Sequence, residues 1–196
     1  MACKREDSLV NPDLKIGYVL ARFPSLTATF IMNEMYWIRQ HGVGVSIFSL
    51  SSPSSEPVHE RAKMLVPHAR YSPFLSWDVV KAQFHFLWHS PTRYLKAWAD
   101  TLRYTYREPK LLLRALSILP KSVYFARQAE ALEIDHLHVH FVLLASIAAS
   151  IISELLDIPC SVHPHAAGLF SRAQRSVRRP LESASRVVTI SNYHRY

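Results

Sequence analysis

The sequence predicts an α/β fold of Rossmann-like, doubly wound type, with a mainly parallel sheet and an inserted helical region. Three observations carry that prediction. A strand, helix, strand unit opens the chain over residues 15–50; residues 135–190 return to the same alternation; and the stretch of about 73–131 between them has helical character throughout. Strands that alternate with helices imply parallel pairing and a sheet covered on both faces.

In order, KIGYVLA, Lys15 to Ala21, is a short apolar run bounded by polar residues and predicts a buried strand. After the turn RFPS, Thr27 to His41 has helical spacing and stops at Gly42, and VSIFSL, Val45 to Leu50, is β-branched and aromatic, the composition of a second strand. SSPSSEP, Ser51 to Pro57, is a loop by composition, and another begins at Tyr71 to Pro73. Three helices are expected between Pro73 and Ala131, punctuated by Pro91, Pro109 and Pro120. A strand follows at Asp135 to Phe141, a helix from about Leu143 to Leu156, a strand at Cys160 to His163, a short helix near Pro180 and a strand at Arg186 to Ile190. Residues 1–14 are expected to be a flexible tail, leaving 15–196 as one domain.

Composition narrows the function. With 196 residues, 49% of them apolar, the chain can bury a real core. Four glycines, Gly17, Gly42, Gly44 and Gly168, cannot form GxGxxG, which removes the dinucleotide fingerprint. Two cysteines, Cys3 and Cys160, make no disulfide framework and point to a reducing compartment. MACKREDSLV has no apolar run, so no signal peptide is expected and the chain is placed in the cytoplasm. The charge-poor stretch His136 to Ser153 begins with three histidines and falls short of the ~20 apolar residues of a membrane span. An excess of Lys and Arg over Asp and Glu, 23 against 15, suits phosphate or anionic lipid; no nucleic-acid motif accompanies it.

In such a sheet, ligands bind at the carboxyl ends of the strands, and the candidate residues follow from that. Arg22 leaves the first strand, and Ser25, Thr27 and Thr29 are N-cap types before the first helix, where free N–H groups suit an anion or serve ordinary capping. Glu34 falls within that helix's apolar arc, so its carboxylate is expected to be aimed at a cleft, or else to salt-bridge a neighbouring Arg or cap a loop. In DHLHVHF, His136, His138 and His140 share one strand face and Leu137, Val139 and Phe141 the other, with only His140 at the carboxyl end. His163 and His165 leave a strand that can neighbour it. A zinc site from these histidines is weighed and set aside, because no acid or cysteine stands nearby in the chain and Asp135 lies at the wrong end. Arg172, Arg175, Arg178 and Arg179 suit phosphate or acidic headgroups, or an exposed loop. Trp77, Phe84, Phe86 and Trp88 with Arg93 and Lys96 have the mix of a helix resting on a membrane surface, or of core packing.

Four stretches in register resemble the amino-terminal domain of family-four retaining glycosyltransferases, especially those assembling exopolysaccharides. FPSLTATFIMNE, Phe23 to Glu34, resembles the group's FPxxSETFIxxE. HLHVHF, His136 to Phe141, is similar to HxHAHF, and IPCSVHPHAAGLF, Ile158 to Phe170, to IPxSFTAHAHDIF. VVTISNY, Val187 to Tyr193, matches a strand like VVTIS with an aromatic two residues on. The resemblance implies one half of a GT-B enzyme: a domain holding a saccharide or lipid-linked acceptor, while a second domain holds a nucleotide sugar, with transfer retaining the anomeric configuration. It implies no permanently bound cofactor, His165 near the reacting sugar, His140 and Glu34 lining the cleft, and residence at the inner face of a membrane.

The chain departs from the group's pattern at Ala28, Ala167 and Gly168, which replace a Glu, a His and an Asp. No Glu stands eight residues after another, so the group's nucleotide-sugar carboxylate pair is expected outside these residues, together with the donor-binding domain. A non-catalytic saccharide- or lipid-binding or scaffolding module of the same fold is the second expectation, and a metal-dependent hydrolase built on the histidines the third.

Overall fold

The structure, a computed structural model, describes residues 13–25, 29–52, 60–73, 76–142, 144–165 and 179–189. Six parallel strands form one sheet: β1 (Lys15–Arg22), β2 (Gly44–Ser51), β3 (Ala69–Tyr71), β4 (His136–His140), β5 (Cys160–His163) and β6 (Arg186–Val187), in the order β3-β2-β1-β4-β5-β6. The order reverses between β1 and β4, where chain crossovers depart to opposite faces and leave a crevice at the carboxyl ends. The Rossmann-like, doubly wound class expected from the sequence is the observed one.

The two faces follow from residue alternation. Tyr18, Leu20, Val45 and Ile47 point toward α1 (Thr29–Gln40) and α2 (Glu60–Leu65), forming a small core with Phe23, Ile31, Met32 and Met35. Val19, Phe48, Leu137, Val139, Cys160 and Val162 point the other way, into a larger core with α3 (Trp77–His89), α4 (Pro91–Thr105), α5 (Pro109–Ala131) and α6 (Leu144–Leu156). Alanines and serines along α6, Ala145, Ala148, Ala149 and Ser146 among them, are buried and let that helix lie close to the sheet. Gly17 has the same purpose within β1, since a Cβ there would stand 2.9 Å from Phe48 Cε2 and 3.0 Å from Leu137 Cδ2.

Local signals set the boundaries. Gly42, with φ +87°, takes the left-handed conformation that ends α1. Ser76 caps α3 by accepting from Val79 N at 3.3 Å, and α4 and α5 each start with proline, whose missing N–H costs nothing in a first turn. Three helices between residues 73 and 131 are therefore observed, although Pro120 lies inside α5 rather than at a break. Residues 60–71, which carry no clear period, form α2, a 3-10 turn and the edge strand β3. Residues 179–182 are helical, as expected near Pro180.

Candidate functional site

At the switch point, the carboxyl end of β1 turns through Phe23, whose N–H donates to Ser49 Oγ at 2.9 Å and whose carbonyl accepts from Tyr71 Oη at 3.1 Å. A cavity of about 190 Å³ opens there, lined on one side by Arg22, Phe23 and Ser25 and on the other by His140 and Phe141. The exposed Arg22 and partly buried Ser25 are thus placed where the strand-end rule expects them, and Thr29 is the exposed first residue of α1. Thr27 lies outside the described residues.

Glu34 hangs from α1 over the sheet and meets the histidines of β4 from above. Tyr18 Oη donates to Glu34 Oε1 at 2.7 Å; His140 Nε2 lies 3.4 Å from the same oxygen, and His138 Nε2 3.6 Å from it. His140 is 1% exposed, and its Nδ1 lies 3.3 Å from His165 Nε2. Glu34, His140 and His165 therefore meet at one rim, although 106 residues separate the first two in sequence. His163 joins them through register: His140 pairs with His163 across β4 and β5, and the His163 ring stacks on His165 with centroids 4.7 Å apart. Phe30, from the first turn of α1, closes the group edge-on to His140.

Two residues depart from simple alternation. Phe141, expected on the Leu137 and Val139 face, has φ +66° and packs instead against the α1 core and the His165 ring, with centroids 4.5 Å apart. A left-handed aromatic is costly, and such conformations concentrate at functional sites. His138, short of the carboxyl end where only His140 was expected, also belongs to the cluster: α1 presents Glu34 over the strand rather than beyond it. Its Nδ1 lies 2.6 Å from Ser161 Oγ, which His136 Nε2 also approaches at 2.8 Å.

Burial works against the Glu34 carboxylate, but the hydrogen bonds from His140 and Tyr18 and the neighbouring imidazoles outweigh it and hold its pKa down to about 2. Burial, with the Glu34 charge next in line, raises the Tyr18 phenol, so it stays a donor. Burial drives His138 down to about 4 and lowers His163 as well, with the His140 ring the next contributor in each case. Near neutral pH the rim thus holds an ionised Glu34 above neutral His138 and His163.

Arg179 is a correction. It is 6% exposed, donates from Nη1 to Thr101 Oγ1 at 3.0 Å and lies 3.8 Å from Asp100 Oδ2. It ties the 179–182 turn to α4 rather than facing phosphate or a membrane, because Asp100 and Thr101 supply the partners a buried guanidinium needs. Arg172, Arg175 and Arg178 lie outside the described residues, as do Ala28, Ala167 and Gly168. On α3, Phe86 is core, whereas Trp77, Phe84 and Trp88 share an outward face and are 69%, 65% and 85% exposed. No described helix is long and apolar enough to cross a membrane.

His138, Tyr18 and Ser161 escaped the sequence-based site. The HxHxH alternation pointed to the first; Tyr18 and Ser161 carry no signal apart from standing on the same face of neighbouring strands. The fold and rim define an α/β protein of doubly wound class with a histidine-rich switch-point crevice. No protein-family model matches the chain, and no curated protein does.

Proposed function

We propose that this chain is the acceptor-side half of a GT-B sugar-transferring enzyme. It would hold a saccharide or lipid-linked acceptor while a second domain presents a nucleotide sugar, with transfer retaining the anomeric configuration. The observation that carries this is the convergence of Glu34, His140 and His165, each from a different stretch resembling the glycosyltransferase group, on one rim beside a cavity. In this reading His165 donates a hydrogen bond to the donor sugar, and the Glu34–His140 pair orients an acceptor hydroxyl, so positioning and fixed charge carry the rate. Arg22, Ser25 and Thr29 sit where an acceptor phosphate would lie. The exposed Trp77, Phe84 and Trp88 face supports contact with the inner surface of a membrane, in line with cytoplasmic residence and a lipid-linked acceptor.

The test is transfer of labelled sugar from nucleotide sugars to lipid-linked saccharides, with the chain combined with a donor-binding GT-B domain. Transfer that falls at least about 100-fold in His165→Ala is the expected result. Its absence, together with no saccharide binding by the chain, sinks the reading. Ala28, Ala167 and Gly168 favour a second reading, a non-catalytic saccharide- or lipid-binding module. Saccharide binding without transfer in the same assay selects it.

A further inference from the structure

Whatever the rim does to a sugar, its donor atoms have a geometry that hydrogen bonding alone leaves incomplete. One ligand atom each from Glu34, His138, His140 and His163 lies within 4.8 Å of the other three. Four ligands about 2.0–2.1 Å from a tetrahedral ion stand about 3.4 Å from one another. Glu34 to His140 Nε2 is 3.4 Å, and Glu34 to His138 Nε2 is 3.6 Å. These two edges already have the required length.

The buried ring nitrogens point the same way. Ser161 Oγ lies 2.6 Å from His138 Nδ1, 2.8 Å from His136 Nε2 and 3.4 Å from Leu137 O, so it holds the His138 ring from its Nδ1 side. His138 Nε2 then faces Glu34 Oε1 at 3.6 Å, beyond hydrogen-bonding distance. His138 Nε2 and His163 Nε2 are both buried and have no hydrogen-bond partner. A buried polar atom without a partner is unfavourable, and a cation satisfies both nitrogens and the carboxylate together.

The surroundings have the form of an outer coordination shell. Ser161 orients His138, His165 faces His140 Nδ1 and Tyr18 Oη holds Glu34. Glu34, with its side chain 34% exposed, leaves an access path that the wholly buried His140 lacks.

We propose that Glu34, His138, His140 and His163 bind one divalent ion of the zinc class, three imidazoles and a carboxylate closing a tetrahedral site that joins α1 to β4 and β5. Neutral imidazoles with one carboxylate select zinc, cobalt, nickel or copper over the oxygen-seeking calcium and magnesium. Four protein ligands fill the shell, so the ion fixes the rim rather than activating water. The ion shares Glu34 and His140 with the transferase reading, in which it would leave the second Glu34 carboxylate oxygen to orient the acceptor, but its binding is measured without any transfer.

The test uses the chain after chelator treatment, titrated with ZnCl₂ by calorimetry and with CoCl₂ by visible absorption. Saturation at one equivalent, with the intense absorption of tetrahedral Co(II), is expected. His138→Ala and His163→Ala should each weaken Zn(II) binding at least about 10-fold, while His85→Ala with His89→Ala, a surface pair on α3, leaves it unchanged. Failure to saturate at one equivalent, a six-coordinate Co(II) spectrum, or unaltered affinity in the His138 and His163 variants overturns the proposal. The Co(II) spectrum of the unaltered chain decides the matter even where a variant does not fold.

Discussion

Residue positions in this molecule are decided by which of two cores a side chain enters, and reactivity follows. Cys160 enters the larger one, and burial pushes its thiol up to about 12. A maleimide at pH 8 should leave Cys160 unmodified in the folded protein and label it on denaturation, as peptide mass mapping would record; labelling of the native state at a free-thiol rate would contradict its burial. Gly17 is limited by space instead. Gly17→Val should cost about 1–3 kcal/mol in urea unfolding, because its side chain meets Phe48 and Leu137 across a packed layer. Glu34 was legible as an acid misplaced on an apolar arc, and His140 as the one imidazole of HxHxH at a strand end. Their partner Tyr18 was not, since a tyrosine within KIGYVLA looks like any strand aromatic until Glu34 stands above its hydroxyl.

Helices and strands with strong punctuation were read well. Pro91 and Pro109 start helices, Gly42 ends one, and the apolar runs of β1, β2, β4 and β5 stand within a residue or two of their expected limits. Residues 60–71 were illegible because a six-residue helix and a three-residue edge strand hold too few turns or alternations to show a period. Pro120 misleads in the opposite direction, since packing of α5 on α6 and the sheet overrides the local penalty. The α3 face offers a test on its own scale. Replacing Trp77, Phe84 and Trp88 together by serine should abolish co-sedimentation with anionic vesicles. Those side chains contribute little to the core, so the melting temperature should fall by no more than a few degrees. Unchanged vesicle binding would remove the membrane from the account of this face.

For the whole molecule, the buried histidines set a pH dependence of folding. In metal-free protein the unfolded His138 takes a proton near its ordinary value of 6.5, while the folded one resists until about 4. The unfolded state therefore binds more protons within that window, and stability falls as pH drops through it, by about 3 kcal/mol from this group alone. His136 and His163, lowered chiefly by burial, add in the same direction. Glu34 extends the loss, since its stabilising charge disappears as pH falls from 4.5 toward about 2. Urea midpoints at pH 7.5 and 5.0 with chelator present should show the decline; a flat profile would mean that the imidazoles are protonated or hydrated in the fold.

The two halves of the rim are also anchored unequally. Its imidazoles come from β4 and β5, near the middle of the sheet, whereas its carboxylate comes from α1, which caps the smaller core. Amide exchange should accordingly register two protection classes within one constellation, slow on the strands and faster on the helix. An occupant that grips both sides would merge those classes, so the helix itself becomes a reporter of whether anything is bound.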